Sequence, residues 1–160
     1  MSAAMDLVDK ELTAAPLLRL LDYWETKRGP RRFPSRRDID PLDFAYLLGN
    51  VGLLDVLREP LRFRVRLCGE NLVHKIGAEV TGKLLDELPL PELREHFAQR
   101  CRQIVERGAP YRTSGDYVLD ERSSRHELLV LPLSEDGEAV SMLLFAFWFA
   151  DQAPRRGAPR

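Results

Sequence analysis

The sequence has few residues of the kinds that usually carry chemistry. Its 160 residues include only two cysteines and three histidines. Cys68 and Cys101 each lie in an apolar pattern without a second ligand at metal-binding spacing, which predicts reduced core thiols. His74, His96 and His126 are far apart along the chain, whereas a structural zinc usually needs four closely organised ligands. We therefore expect no metal centre.

Catalytic motifs are missing as well. The sequence contains neither a Gly-x-Ser-x-Gly nucleophile turn nor a glycine-rich phosphate-binding loop. Ser123 and Ser124 fall in an expected hairpin turn, where small polar residues are common. The acidic residues are spread along the chain and form no pair on adjoining apolar positions. These absences favour a protein that is not an enzyme, and only a small-molecule enzyme with an unrecognised site stays as an alternative, because a fold does not determine a function.

Charge and hydropathy exclude two classes of partner. Lysine and arginine number 24 and aspartate and glutamate 25, for a formal net charge of −1, whereas a general nucleic-acid binder is usually basic overall. No apolar run approaches the roughly 18 residues needed to span a bilayer, and the first residues carry acids where a signal peptide would be basic and then apolar. We expect a cytoplasmic protein that binds neither nucleic acid nor membrane. We expect one domain over 13–150, between a flexible N-terminus at 1–12 and a disordered tail at 151–160.

The first half of the chain predicts a helix and then a hairpin. A helix over 13–27, capped by the side chain of Thr13, carries an apolar stripe that needs a cover. A short helix over 41–48 precedes two strands, at 51–57 and 61–67. The second strand alternates with period two, which is typical of a sheet with one buried face. Its apolar side comprises Leu61, Phe63, Val65 and Leu67, and its basic side comprises Arg62, Arg64 and Arg66, with Asp55 and Glu127 as candidate neighbours.

The second half predicts a long helix followed by three strands. The helix runs over 89–107 with one apolar stripe, and the strands run over 111–119, 125–133 and 139–149. The last strand is apolar on both faces, so both faces must be covered, one by the core and the other by the first helix or a second subunit. Hairpins at both ends and helices between them predict an α+β fold with an antiparallel sheet packed on one side by helices.

The order of these elements and several short motifs resemble the PAS domain family. The resemblance covers residues 17–149 and implies a domain built on a five-stranded antiparallel sheet. Domains of this family sense a signal, bind a ligand or bind a protein, often as dimers. A subset of the motifs resembles a bacterial subfamily of short single-domain PAS proteins. The motifs are Arg66–Leu72, Ile76-Gly77 and Thr81–Leu88 at the centre, and Leu21–Trp24, Pro34–Pro41 and Gly52–Val56 for the subfamily.

A ligand cavity is expected between the long helix and the inner face of the sheet, although large side chains could fill that space completely. A void costs about 1 kcal/mol for each missing methyl-sized volume. Some members of the family bind haem through a histidine on this helix, but His96 lies about 115° from the centre of the apolar stripe at 100° per residue. Neither cysteine has a flavin-binding context, so we expect no cofactor. The candidate lining residues are Phe63, Val65, Phe97, Cys101, Ile104 and Leu144, with Leu128 or Leu129.

The expected function is a non-catalytic regulatory module that binds a small ligand, an unidentified signalling protein, or both. We expect a homodimer through the N-terminal helix and the outer sheet face, and a pure dimerisation domain without a ligand is the alternative. The basic segment 27–37 is interpreted either as an anion site or as a solvated loop. In the second interpretation its arginines pair with Asp38, Asp40 and Asp43.

Overall fold

Five strands form one antiparallel sheet at the centre of the structure. The computed structural model describes residues 9–119 and 122–152. The strands are β1 (Val51–Leu57), β2 (Arg62–Cys68), β3 (Tyr111–Leu119), β4 (Arg122–Leu133) and β5 (Met142–Phe149). They lie in the order β2-β1-β5-β4-β3, and every neighbouring pair is antiparallel. The predicted α+β fold is thereby confirmed, with the most apolar strand in the middle of the sheet.

The helices also follow the predicted order. The α-helices are α1 (Ala15–Arg28), α2 (Glu70–Ile76) and α3 (Ala98–Arg107). The predicted short helix is a 3-10 helix, Pro41–Asn50, and Asp40 caps it by accepting a hydrogen bond from Leu42 N at 3.0 Å. The predicted long helix begins as one π-helical stretch, Glu92–Phe97, and continues as α3. Shorter 3-10 turns occupy Arg36–Asp38, Leu85–Glu87 and Ala150–Gln152.

The two faces of β5 receive two different covers. On the inner face the ring of Phe97 lies 5.5 Å from that of Phe145. On the outer face α1 contacts β4 and β5, and Trp24 donates a hydrogen bond from Nε1 to the Pro132 carbonyl at 2.9 Å. Leu17 and Leu20 of α1 are completely buried. The first helix is therefore the second cover that the two-sided strand requires.

The start of α1 is held by a strand and not by its own N-cap side chain. The N-cap residue is Ala14, so the predicted Thr13 cap is wrong. The buried carboxylate of Glu127, on the outer face of β4, accepts hydrogen bonds from the backbone N–H groups of Thr13 and Ala14. A carboxylate also suits the positive end of the helix dipole. Glu127 is thus a partner of α1, not of the arginines on β2.

The segment before α1 lies along the edge of the sheet. Lys10 N donates to the Arg112 carbonyl of β3 at 2.9 Å, and the side chain of Asp9 pairs with Arg107. Leu12 is buried. Residues 9–12 therefore contact the domain, although they were predicted to belong to a flexible end. Residues 1–8 of that predicted end, and 153–160 of the predicted tail, fall outside the described ranges.

A β-bulge changes the face on which β2 presents its last side chains. Leu53 pairs with Leu67 and Leu54 pairs with Val65, so Arg66 is the extra residue on β2. Val65 is buried on the inner face, whereas Leu67 pairs with an outer-face residue and is 42% exposed. Strict alternation predicted that Leu67 would share the buried face of Val65, and the bulge makes that prediction wrong.

Replacing Leu20 with alanine tests the contribution of α1. Because Leu20 is completely buried against the sheet, we expect Leu20→Ala to lower the free energy of unfolding by about 2–5 kcal/mol. Leu18→Ala is the matched control, since Leu18 is 39% exposed on the same helix and should change stability by about 0.5 kcal/mol or less. Urea unfolding followed by circular dichroism measures both, and equal losses for the two variants would contradict the packing of α1 on the sheet.

Candidate functional site

Five of the six candidate cavity residues lie in the layer between the helices and the inner sheet face. Phe63 and Val65 are buried on β2, opposite Val56 and Leu54 of β1. Phe97, Cys101 and Ile104 lie on the helix that covers this face, which runs from the π-helical stretch into α3. Cys101 and Ile104 are completely buried there, and Phe97 is 7% exposed. Their role as the lining of a ligand cavity stays a prediction.

Leu144 lies on the opposite face of the sheet. It pairs with Leu53 of β1 and Leu131 of β4. Neighbouring residues of a strand point to opposite faces, and the next residue, Phe145, is the one that meets Phe97. By the same alternation Leu128 is the inner-face member of the Leu128/Leu129 pair.

Aromatic rings occupy much of the inner layer. Phe97 lies within 5.5 Å of Phe145 and 6.1 Å of Phe147, and Phe147 stacks on Phe149 at 5.8 Å between ring centroids. A Cβ atom added at Gly52 would lie 2.1 Å from the Phe145 ring, so this ring packs directly on the backbone of β1. Such contacts are typical of a filled core.

The outer face carries two adjoining concavities, here called the apolar pocket and the polar pocket, and together the outer groove. The apolar pocket has a volume of about 400 Å³ and the polar pocket about 530 Å³. Arg36, Leu53 and Leu67 line both. The apolar pocket also includes Ile39, Pro41, Phe44, Leu48, Gly49, Val51, Cys68, Gly69, Glu70 and Leu144. The polar pocket adds Asp55, Arg66, Glu135, Ser141 and Met142.

One wall of the apolar pocket is the 3-10 helix Pro41–Asn50, and α1 holds this wall in place. The ring of Tyr23 on α1 meets Phe44 edge-on at 5.7 Å, and its hydroxyl donates to Asp43 at 2.6 Å. Arg19 of α1 stacks over Tyr46, with Cζ 3.8 Å from the ring centroid. The wall therefore depends on the same helix that covers β4 and β5.

The end of the apolar pocket is closed by backbone and amide contacts. A Cβ atom added at Gly69 would lie 2.4 Å from the Gly49 carbonyl oxygen, so only glycine allows these two backbone segments to approach this closely. Asn71 donates to the Asn50 side-chain oxygen at 2.7 Å, and buried Asn50 donates to the Phe147 carbonyl at 2.8 Å. These contacts tie the 3-10 helix to α2 and β5.

Charged side chains surround the outer groove unevenly. Asp55 lies 3.3 Å from Arg64 and 3.6 Å from Arg66, as the sequence suggested. Arg36 is half-buried and donates from Nη1 to the Ile39 carbonyl at 2.8 Å. Within residues 9–119 and 122–152, none of the ion pairs includes Arg36. The apolar pocket therefore has at its edge one arginine without an ion pair in that part of the chain, and its lining also includes one carboxylate, that of Glu70.

The basic segment is paired only in part. A hydrogen bond from the Ser35 backbone N–H holds the pKa of Asp38 below its usual value, and Arg31, 2.9 Å from the Asp38 carboxylate, and the Ser35 hydroxyl lower it further. Asp43 instead accepts the Tyr23 hydroxyl, and burial together with this carboxylate raises the pKa of Tyr23 to about 12. Of the predicted carboxylate partners, Asp38 is the one that meets an arginine of the segment.

Neither a metal-ligand cluster nor a membrane-spanning helix occurs in the part of the chain that the structure describes. No group of three or more histidine, cysteine, aspartate or glutamate side chains there could hold a metal ion. In the same part, every helix is too short or too polar to cross a membrane. His74 lies on α2, His96 is exposed in the π-helical stretch, and His126 lies on β4.

The two cysteines differ in their access to reagents. Cys68 is half-buried in the apolar pocket, and burial, with a smaller contribution from the Glu79 carboxylate, raises the pKa of its thiol to about 11. Cys101 is completely buried in the inner layer, and burial raises the pKa of its thiol far above the usual value. Cys68 is therefore a chemical reporter for the apolar pocket.

Alkylation by iodoacetamide tests the environment of Cys68. Only the thiolate reacts, and burial disfavours the thiolate, so the rate should rise about tenfold for each pH unit from 7 to 9.5 without levelling off. Mass spectrometry of the folded protein should place the label on Cys68 alone, and Cys68→Ser should remove it. A half-maximal rate near pH 8.5 with levelling above pH 9, as for a free cysteine, would contradict the buried setting.

Comparisons with known proteins agree with the architecture. The solved PAS domain of Bordetella pertussis BvgS is 20% identical, with a TM-score of 0.51 over 68% of this chain and 85% of that one. The crystal structure of a Rhodobacter sphaeroides LOV protein is 13% identical, with a TM-score of 0.48 over 72% of this chain and 70% of that one. No match was found among curated proteins. A family model described as PAS domain matches residues 12–148, and the chain belongs to the PAS domain family.

Proposed function

We propose that this chain is a non-catalytic sensor module whose ligand site is the outer groove. PAS domains are generally signalling sensor modules. The observation that carries the proposal is the apolar pocket, since about 400 Å³ of concave, largely apolar space with a few polar groups at its edge is typical of a small-molecule site. The packed phenylalanine rings of the inner layer favour this location over the helix–sheet interior.

The buried floor of the apolar pocket supports a ligand site on the outer face. Val51, Phe44 and Leu144 are each 2% exposed or less, although they line the concavity. Leu48 and Leu67 stand at its mouth and are 39% and 42% exposed. A ligand that enters would cover these two leucines and gain apolar contacts with the floor.

Signal output would follow from the position of the wall. The 3-10 helix Pro41–Asn50 contacts α1, α2 and β5, so a ligand that moves this wall would alter the position of α1 on the sheet. The proposed module therefore converts occupancy of the groove into a change at the surface of α1, where a partner protein can respond.

Filling the mouth of the pocket tests the proposed site. We expect a thermal-shift screen against a metabolite library to find compounds that stabilise the wild type and Leu42→Trp but not Leu67→Trp. Leu67 lines the pocket, whereas Leu42 is 80% exposed and does not. The two variants add the same indole ring, so the comparison isolates its location.

The screen has two results that contradict the proposal. Compounds that stabilise Leu67→Trp as much as the wild type would place the ligand site elsewhere. Uniformly absent shifts for the wild type would leave the protein without a small-molecule site and would favour a purely protein-binding role.

A homodimer through the outer face is the second candidate. The observation that favours it is the exposure of Leu67 on β2 and of Leu48 on the adjoining 3-10 helix, because exposed apolar patches often mark protein interfaces. The apolar stripe of α1 packs on its own sheet, so the dimer would use the uncovered part of this face over β1 and β2.

Light scattering after size exclusion distinguishes this second candidate. A dimer through the outer groove should become a monomer in Leu67→Lys, because the substitution places a charge in an apolar contact, while Leu42→Lys should stay dimeric. A wild-type monomer at high micromolar concentration, or a Leu67→Lys dimer, would exclude it.

A further inference from the structure

We propose that the apolar pocket of the outer groove binds a small monocarboxylate with an apolar body, whose carboxylate pairs with Arg36. This inference rests on the proposed function, because it names the ligand class of the same site. Its two parts are the half-buried guanidinium at the edge of the pocket and the apolar floor below it.

Three arginines around the outer face are paired with carboxylates, whereas Arg36 has no such partner among the described residues. Arg31 pairs with Asp38, Arg62 with Asp86, and Arg64 with Asp55. Arg36 lines both pockets, and its contact is the Ile39 backbone carbonyl, which accepts from Nη1.

A guanidinium has five N–H donors in a fixed planar arrangement. One neutral carbonyl accepts from a single nitrogen atom, and no carboxylate of the described residues forms an ion pair with Arg36. The planar, two-oxygen acceptor that matches this arrangement is a carboxylate, which can accept two parallel hydrogen bonds. The edge of the pocket is therefore suited to one carboxylate group.

The floor of the pocket accepts hydrocarbon. Ile39, Val51 and Leu53 are buried beneath it, and the side chains that line the pocket are mainly aliphatic or aromatic. Burial of each additional methylene group of a ligand should tighten binding about fourfold until the pocket is full. A body that carried hydroxyl groups would lose hydrogen bonds with water without replacement on this floor.

The charge of the lining favours a single negative charge over two. Glu70 also lines the apolar pocket, and Asp55 lines the adjoining polar pocket beside Arg66. Glu135 is a third carboxylate in the polar pocket, so a phosphate monoester, with a charge near −2, would meet three carboxylates and only one arginine that has no ion pair within the described residues. A monocarboxylate can instead lie with its charge on Arg36 and its body on the floor.

Calorimetric titration with butanoate, hexanoate, octanoate and octanol tests the proposal. For the wild type we expect affinity to rise about fourfold for each methylene along the acid series. Arg36→Gln should weaken octanoate binding about tenfold or more and leave octanol binding unchanged, since only the acid uses the charge. Arg37→Gln is the matched control, because Arg37 is the exposed neighbour that does not line the pocket.

Two further variants keep the test decisive. Arg36→Lys retains the charge but not the planar donors, so octanoate affinity should fall between the wild type and Arg36→Gln. Leu67→Trp should block both octanoate and octanol, which locates binding in the apolar pocket. Unchanged octanol binding by Arg36→Gln shows that the pocket is still folded in that variant.

Three results would overturn the inference. Equal octanoate affinity in the wild type and Arg36→Gln would remove the carboxylate from the ligand class, while octanol binding blocked by Leu67→Trp would keep the proposed site. Octanoate binding that Leu67→Trp does not affect would place the acid elsewhere. The absence of octanoate binding, beside library compounds that Leu67→Trp excludes, would also refute the ligand class and leave the proposed function standing.

Discussion

The two apolar faces of β5 impose the constraint on which the rest of the structure depends. A strand that is apolar on both sides and central in its sheet must be covered twice. The helix that ends in α3 supplies one cover and α1 supplies the other. Because α1 covers the β4 and β5 side of the outer face, the outer face over β1 and β2 is left for other elements. The 3-10 helix Pro41–Asn50 extends over part of it and leaves the outer groove.

Local patterns were sufficient to predict most of this arrangement. Period-two alternation and helical periodicity depend on a few consecutive residues, so they predicted the strands and both covering helices. The stripe of α1 identified the residues that are buried, and the phase of the long helix separated inward Phe97 and Cys101 from exposed His96. Five of the candidate cavity residues accordingly lie between the long helix and the inner sheet face, and their role as a cavity lining stays a prediction.

The rest could not be predicted because it depends on register and on distant contacts. Alternation shows that Leu144 and Phe145 face opposite ways but not which of them meets the helix, so it could not assign Leu144 to the outer face, where the structure has it. The cap of α1 comes from Glu127, which lies more than a hundred residues away along the chain. The outer groove depends on packing between α1 and the 3-10 helix Pro41–Asn50, through contacts such as Tyr23 with Phe44. The place of Arg36 at the groove could not be read from the sequence, because Asp38, the nearest acidic residue along the chain, pairs with Arg31 instead.

The bulge at Arg66 has a consequence for how such a groove can arise or disappear during evolution. One additional residue in β2 moves Leu67 from the side of the core to the mouth of the groove and leaves Val65 inside. Loss of that residue would reverse the move without any change in amino-acid composition elsewhere. Related chains with the same apolar pattern can therefore differ in this surface through a single-codon insertion or deletion, and an alignment that places the gap wrongly would conceal the difference.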